Sequence, residues 1–166
     1  MARHENVVNQ DDLEWAETAH GEKFAFARKQ LGAPAGGRML GCSLFRLEPG
    51  KAAYPAHTHF GNEEAVYILS GEGTMRLGED HVAVRAGDYI AMPVAGPAHQ
   101  LRNDSRQPLE YLCVSTMVHP EVVYYPDSDK VGMMAGSAPG GNPQERLLGG
   151  FGLYRKSSRV DYYDGE

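Results

Sequence analysis

The chain has 166 residues, 42% of them hydrophobic and 23% charged, with a formal net charge of −6. That length can bury a core as one domain, and the composition is globular rather than disordered or fibrous. The acidic balance and the lack of a basic block argue against nucleic acid as the main partner, and no apolar run reaches the ~20 residues a membrane-spanning helix needs.

The opening, "MARHENVVNQDDLEWAE", is polar and acidic and lacks the apolar stretch of a signal peptide, so a cytoplasmic protein is expected. "EWAETAHGEKFAFARKQLG" reads as a hairpin hinged near Gly21, with Phe24 and Phe26 on one face, and "APAGG" near residue 35 reads as a loop. Short runs rich in β-branched and aromatic residues then follow one another: "RMLGCSLFRLE", "EEAVYILS", "GTMRLG", "HVAVRAG", "DYIAMP", "HQLRN" and "LEYLCVSTMV". Short strands at this spacing, separated by Gly and Pro, predict an all-β sandwich or barrel. Within it, "GEGTMRLGEDHVAVRAGDYIAMP" gives three strands with tight turns at Gly78-Glu79-Asp80 and Ala86-Gly87-Asp88. The middle of the chain has no amphipathic helix of useful length.

After Val118 the character changes. "GMMAGSAPGGNPQERLLGGFG", with seven Gly and two Pro, is expected to be an irregular surface segment, and "LYRKSSRVDYYDGE" a docked or disordered tail. The expected organisation is therefore an N-terminal extension over 1–37, holding a strand pair, a barrel core over 38–118, and a Gly/Pro-rich extension over 119–166. Cys42 and Cys113 lie in apolar segments and are expected to be buried, reduced thiols.

The chemistry concentrates in "HTHFGNEEAVYILSG". A strand repeats every two residues, so His57 and His59 project from one face. Glu64 shares a face with Val66 and Ile68, whereas Glu63 takes the other, which makes Glu64 the carboxylate that points inward. Imidazoles and a carboxylate aimed into an apolar interior are costly unless something binds them, and a metal ion is the obvious candidate. His4, His20, His81 and His119 have no partners at ligand spacing and read as surface residues.

The full pattern is Gly50, six residues, His57-Thr58-His59, four residues, Glu64, six residues, Gly71. A second cluster holds Gly87, Pro93, Gly96, His99 and Asn103. These two stretches resemble the two sequence motifs of the cupin superfamily, with one extra residue before His57 and one before Gly96. The resemblance implies a single jelly-roll barrel whose metal ligands are His57, His59, Glu64 and His99. Three imidazoles and a carboxylate suit one divalent transition metal per chain, Mn, Fe, Co, Ni or Zn. Asn103, Gly71, Gly87 and Gly96 are expected to be structural.

Fold and metal do not name a reaction. The chain is similar to single-barrel bacterial cupins compared with sugar-phosphate isomerases, which implies an enzyme acting on a small polar metabolite as an isomerase or epimerase. The alternatives are a cupin dioxygenase and a non-catalytic metal-containing binding module. A homodimer is expected, because a jelly roll leaves sheet edges unpaired.

Two further residues are candidates for substrate binding. Tyr111 lies in a motif strand and could reach the cavity, as could Tyr54 and Tyr67. Arg46, in "SLFRLEPG", either faces outward along its apolar neighbours or faces the cavity, where its guanidinium would hold an anion at two points.

Overall fold

The computed structural model describes residues 3–166. Thirteen strands make up the fold: β1 (Ala16–His20), β2 (Phe24–Gln30), β3 (Leu40–Leu47), β4 (Thr58–His59), β5 (Glu64–Ser70), β6 (Glu72–Leu77), β7 (Asp80–Arg85), β8 (Tyr89–Met92), β9 (His99–Arg102), β10 (Leu109–Thr116), β11 (Glu121–Tyr125), β12 (Lys130–Ala135) and β13 (Leu147–Arg155). Among the described residues the only helical pieces are short 3-10 turns. The all-β jelly roll expected from the sequence is what forms.

One sheet runs β1-β2-β3-β10-β5-β8, with every neighbouring pair antiparallel. The other face of the barrel is made of two pieces, β13-β12-β11-β4 and β7-β6-β9. A backbone bridge joins them: His57 N–H donates to His99 O at 3.2 Å, and His99 N–H donates to His57 O at 2.8 Å. The core between the faces is built from Phe45, Leu47, Val66, Ile68, Met75, Leu101, Leu109 and Tyr111. Alternation in β5 shows the logic, with Val66 and Ile68 4% and 0% exposed while Tyr67 is 43% exposed.

The N-terminal hairpin forms as expected, turning at Gly21. It extends the first sheet through β2, and Phe26 packs inward on Phe45 and Tyr54 at centroid distances of 5.4 and 4.9 Å. On the outer side, Trp15 lies beneath both Lys29 and Arg46.

The C-terminal expectation needs correction. The run 132–152 is not one irregular segment, because β12 and β13 occupy its two ends, about half of it, and only 136–146 is irregular. Gly132 and Gly152 look like strand breakers, yet both lie within strands, and a Cβ at either would fall within 2.6 Å of an aromatic ring. The rings of Phe151 and Tyr154 fill the space these glycines leave. The tail "LYRKSSRVDYYDGE" begins inside β13, and its end, 156–166, is exposed.

Asn103 has the structural role expected of it. Its amide donates to Leu47 O and Gln107 O, both at 2.8 Å, which ties the end of β9 to β3. Gly71 turns the chain from the first sheet into the second with φ +82°, and a Cβ there would sit 2.5 Å from Pro108 O. Gly71→Ala therefore combines a left-handed backbone with a clash against main chain. We expect it to lower stability by more than ~1 kcal/mol, read as a fall in the urea midpoint at unchanged slope.

Candidate metal centre

His57 immediately precedes the two-residue strand β4, His59 ends it, and His99 opens β9 beside them. Because His57 and His99 are a directly hydrogen-bonded pair, their rings stand next to each other, 4.6 Å between centroids. Glu64 reaches the same point from the opposite sheet, at the start of β5. One donor atom from each of the four residues can be chosen so that all lie within 4.8 Å of one another. Glu63 is exposed, as its place on the other face requires.

The rings are oriented by their surroundings. His57 Nδ1 is 2.8 Å from Pro55 O, an acceptor, so Nδ1 carries the proton and the Nε2 lone pair is free. Glu64 Oε2 lies 3.3 Å from His99 Nε2 and 3.6 Å from His59 Nε2. Thr58 Oγ1 donates to Gly96 O, and Ala95 N–H donates to His59 O, so the loop before β9 is fastened to β4.

Burial, reinforced by the charges of His99 and His59, pulls His57 down to about 4, so it stays a neutral ring at neutral pH. Burial pulls His59 the same way, but its contacts with Glu121 and Glu64 outweigh this and lift it to about 9. Glu64 is held well below the usual carboxylate range, since the neighbouring His59 and His99 more than offset its burial. The cluster thus favours positive charge at its centre.

Both ring nitrogens of His59 and Nδ1 of His99 are buried without a hydrogen-bond partner. An orphaned nitrogen costs about 1–3 kcal/mol, and a metal ion accepting the lone pair of His59 Nε2, the nitrogen that faces Glu64, would offset that cost. The donor set of three imidazoles and a carboxylate fits a transition metal and does not suit the all-oxygen shells of Ca or Mg. The residues present therefore fit the expected metal.

Sequence reasoning missed Glu121. It stands on β11, 1% exposed, with Oε2 3.6 Å from His59 Nδ1 on the side away from Glu64. Phe60 N–H and Gly61 N–H donate to its Oε1 at 3.2 and 3.1 Å, and the Asn62 amide donates to Oε2. The His59 contact first, then the Asn62 amide and Gly61 N–H, hold the carboxylate below its usual range despite its burial. A carboxylate behind an imidazole fixes its orientation and basicity. Glu121 lies 62 residues after His59, and only the pairing of β11 with β4 brings the two together, so no spacing rule could have found it.

The cluster opens into a cavity of about 310 Å³ with mainly apolar walls, including Phe45, Val66, Met75, Met92 and Phe151. Tyr111 lines it, stacked on Phe45 at 5.1 Å, and Tyr54 and Tyr125 flank His57. Tyr67 points outward. The cavity-facing alternative for Arg46 does not hold. Phe45 and Leu47 take the inner face of β3, which sends Arg46 outward to donate from Nε to Glu110 at 2.7 Å. The remaining histidines, His4, His20, His81 and His119, are all exposed.

Residues 43–115, which hold all four residues of the cluster, match the family described as the Cupin domain. A solved structure from Acidithiobacillus ferrooxidans, provisionally named a sugar phosphate isomerase, superposes with a TM-score of 0.79 at 27% identity, covering 94% of this chain and 96% of that one. The quercetin 2,3-dioxygenase of Bacillus subtilis is 32% identical over 94 residues, 54% of this chain and 27% of that protein. An oxalate-binding protein of Thermotoga maritima is 35% identical over 69 residues, 42% of this chain and 55% of that protein. The chain therefore spans little more than half the length of these curated relatives, or less.

Removing the Glu121 side chain would strand the Gly61 N–H and the His59 Nδ1 side of the ring, while Phe60 N–H keeps Val122 O and the Asn62 amide keeps Val118 O. Glu121→Ala is expected to destabilise the protein by ~1–3 kcal/mol, measured by chemical denaturation. Glu121→Gln, which keeps an acceptor oxygen, should cost less.

Proposed function

We propose that this protein is a metal-dependent cupin that acts on a small polar metabolite, with His57, His59, Glu64 and His99 holding one divalent transition metal. The observation that carries this reading is the convergence of four donor atoms within 4.8 Å, brought by the two joined pieces of one barrel face and by β5 of the facing sheet, with buried His59 Nε2 lacking a hydrogen-bond partner. When bound, such an ion supplies Lewis acidity toward a carbonyl or hydroxyl oxygen. The chain's own residues do the rest. His57 is kept neutral and aimed by Pro55, and Glu121 holds the His59 ring. The apolar walls exclude water, while Tyr54, whose phenol burial pushes up to about 12, keeps its proton and can donate to a ligand oxygen.

The reaction class we favour is isomerisation or epimerisation of a sugar or sugar phosphate. Near-complete coverage of the Acidithiobacillus structure, including both terminal extensions, supports it. A second reading, a binding module without catalysis, has its own support. Burial pushes Tyr54, Tyr111 and Cys113 all upward, so these cavity groups offer hydrogen-bond donors rather than a base near neutral pH. The likeness to an oxalate-binding protein points the same way. A dioxygenase is the third option, supported by the quercetin 2,3-dioxygenase match. We further propose a cytoplasmic homodimer, supported by the exposed Met39, Leu40 and Tyr89.

Metal analysis of purified protein should find about one transition metal per chain. His59→Ala is expected to lose most of it, a loss beyond the ~10–100-fold weakening typical of residues that only orient a ligand. Full metal occupancy after removal of both His57 and His59 would refute the ligand set. Incubation with aldose phosphates, followed by NMR, separates turnover from binding alone.

A further inference from the structure

Arg46 points away from the cavity, yet the cavity contains an arginine. Strand β2 alternates, so Phe26, Arg28 and Gln30 share its inner face while Lys29 meets Trp15 outside. In the ladder, Arg28 is level with Phe45 on β3, which is level with Tyr111 on β10. Arg28 thus takes its place in the cavity wall beside Phe45 and Tyr111. Among the described residues Arg28 makes no ion pair, unlike Arg3, Arg46, Arg76 and Arg102. Tyr54 and Cys113 each feel the charges of both Arg28 and Glu64, so the two charged groups face the same small space from different sides.

A half-buried arginine in a mainly apolar cavity wall, with no carboxylate partner, leaves its N–H donors free for a ligand anion. We propose that the cavity is built for a small anionic ligand and that Arg28 holds its carboxylate or phosphate through two parallel N–H donors. The inference rests on the reading of this cavity as the ligand site of a metal centre. With a divalent ion in place, two positive charges from the metal and one from Arg28 stand against one negative charge from Glu64. Counting Glu121 behind His59 as well, the site keeps a net charge of about +1 in a low-dielectric enclosure, which favours anions over neutral polyols. One end of the ligand meets Arg28 and the other faces the His57–His99 pair, with the tyrosine rings between. Gln30 braces this wall, because its amide donates to Gly140 O at 2.7 Å and draws the 136–146 loop over the mouth.

The test is calorimetric titration of the protein, metal-loaded and metal-free, with glycerol 3-phosphate, oxalate and, as a neutral control, glycerol. Wild type should bind an anion and bind glycerol far more weakly. Arg28→Gln should weaken anion binding by at least ~10-fold while metal content stays unchanged, the loss typical of a charge-assisted hydrogen bond. Arg46→Gln should bind like wild type. Arg28→Lys should fall between, and it is read instead if Arg28→Gln fails to fold by circular dichroism. A larger loss for glycerol 3-phosphate than for oxalate identifies a phosphate ligand, and the reverse a carboxylate. Equal anion affinity in wild type and Arg28→Gln would overturn the proposal, as would equal affinity for glycerol and glycerol 3-phosphate, or no anion binding by wild type in either form. Arg28-dependent binding in a protein that takes up no metal would uphold it and refute the metal reading alone.

Discussion

The mutual backbone pairing of His57 and His99 holds this molecule's site in place. Two hydrogen bonds at that one position join the β7-β6-β9 piece to the β4-β11-β12-β13 piece and so complete one face of the barrel. The same two bonds set the imidazoles side by side, because directly opposed residues in an antiparallel ladder send their side chains to the same face. Fold closure and site assembly are therefore one event. Glu64 needs only to arrive from the facing sheet, and the β5–β10 ladder delivers it with Val66 and Ile68 behind it in the core.

Around this pairing the site is charged at its centre and apolar at its walls. Glu64 and Glu121 approach His59 from either side, each satisfied by further donors. The cost of burying two carboxylates is met by that network and by the positive charge it attracts. Outside the cavity, Arg46 pairs with Glu110 and lies over Trp15, so an arginine that looked available for ligand binding is engaged in holding the N-terminal segment to the barrel.

What the sequence disclosed and what it hid differ in range. His57, His59 and Glu64 are local, and their period on a strand and their neighbours Val66 and Ile68 fix which way they point. His99 was legible through its motif, and the structure brings it to the other three. Glu121, Tyr125, Arg28 and Gln30 come from strands whose neighbours are set by long-range pairing, so no local pattern announced them. Arg46 was ambiguous for a related reason: both faces of β3 carry apolar residues, with Leu44 buried outside and Phe45 inside, so alternation could not choose between them. The strands β12 and β13 were obscured by glycine. Gly132 and Gly152 break a propensity pattern, but aromatic rings from the adjoining strand and from two residues along the chain occupy their missing side-chain volume, and the strands persist.

The bond from Gln30 to Gly140 spans 110 positions of sequence and clasps the mouth of the cavity with material from both ends of the chain. The metal-binding motifs and the rim are consequently separate inheritances. The motifs sit in the middle of the chain and are constrained by coordination, whereas the rim is drawn from terminal segments that answer only to what passes through the opening. Changes confined to β2 and the 136–146 loop can alter this wall of the cavity while β11 and Glu121 still hold His59. A single conserved barrel can in this way serve many ligands, with selectivity written at the margins of the polypeptide rather than at its centre.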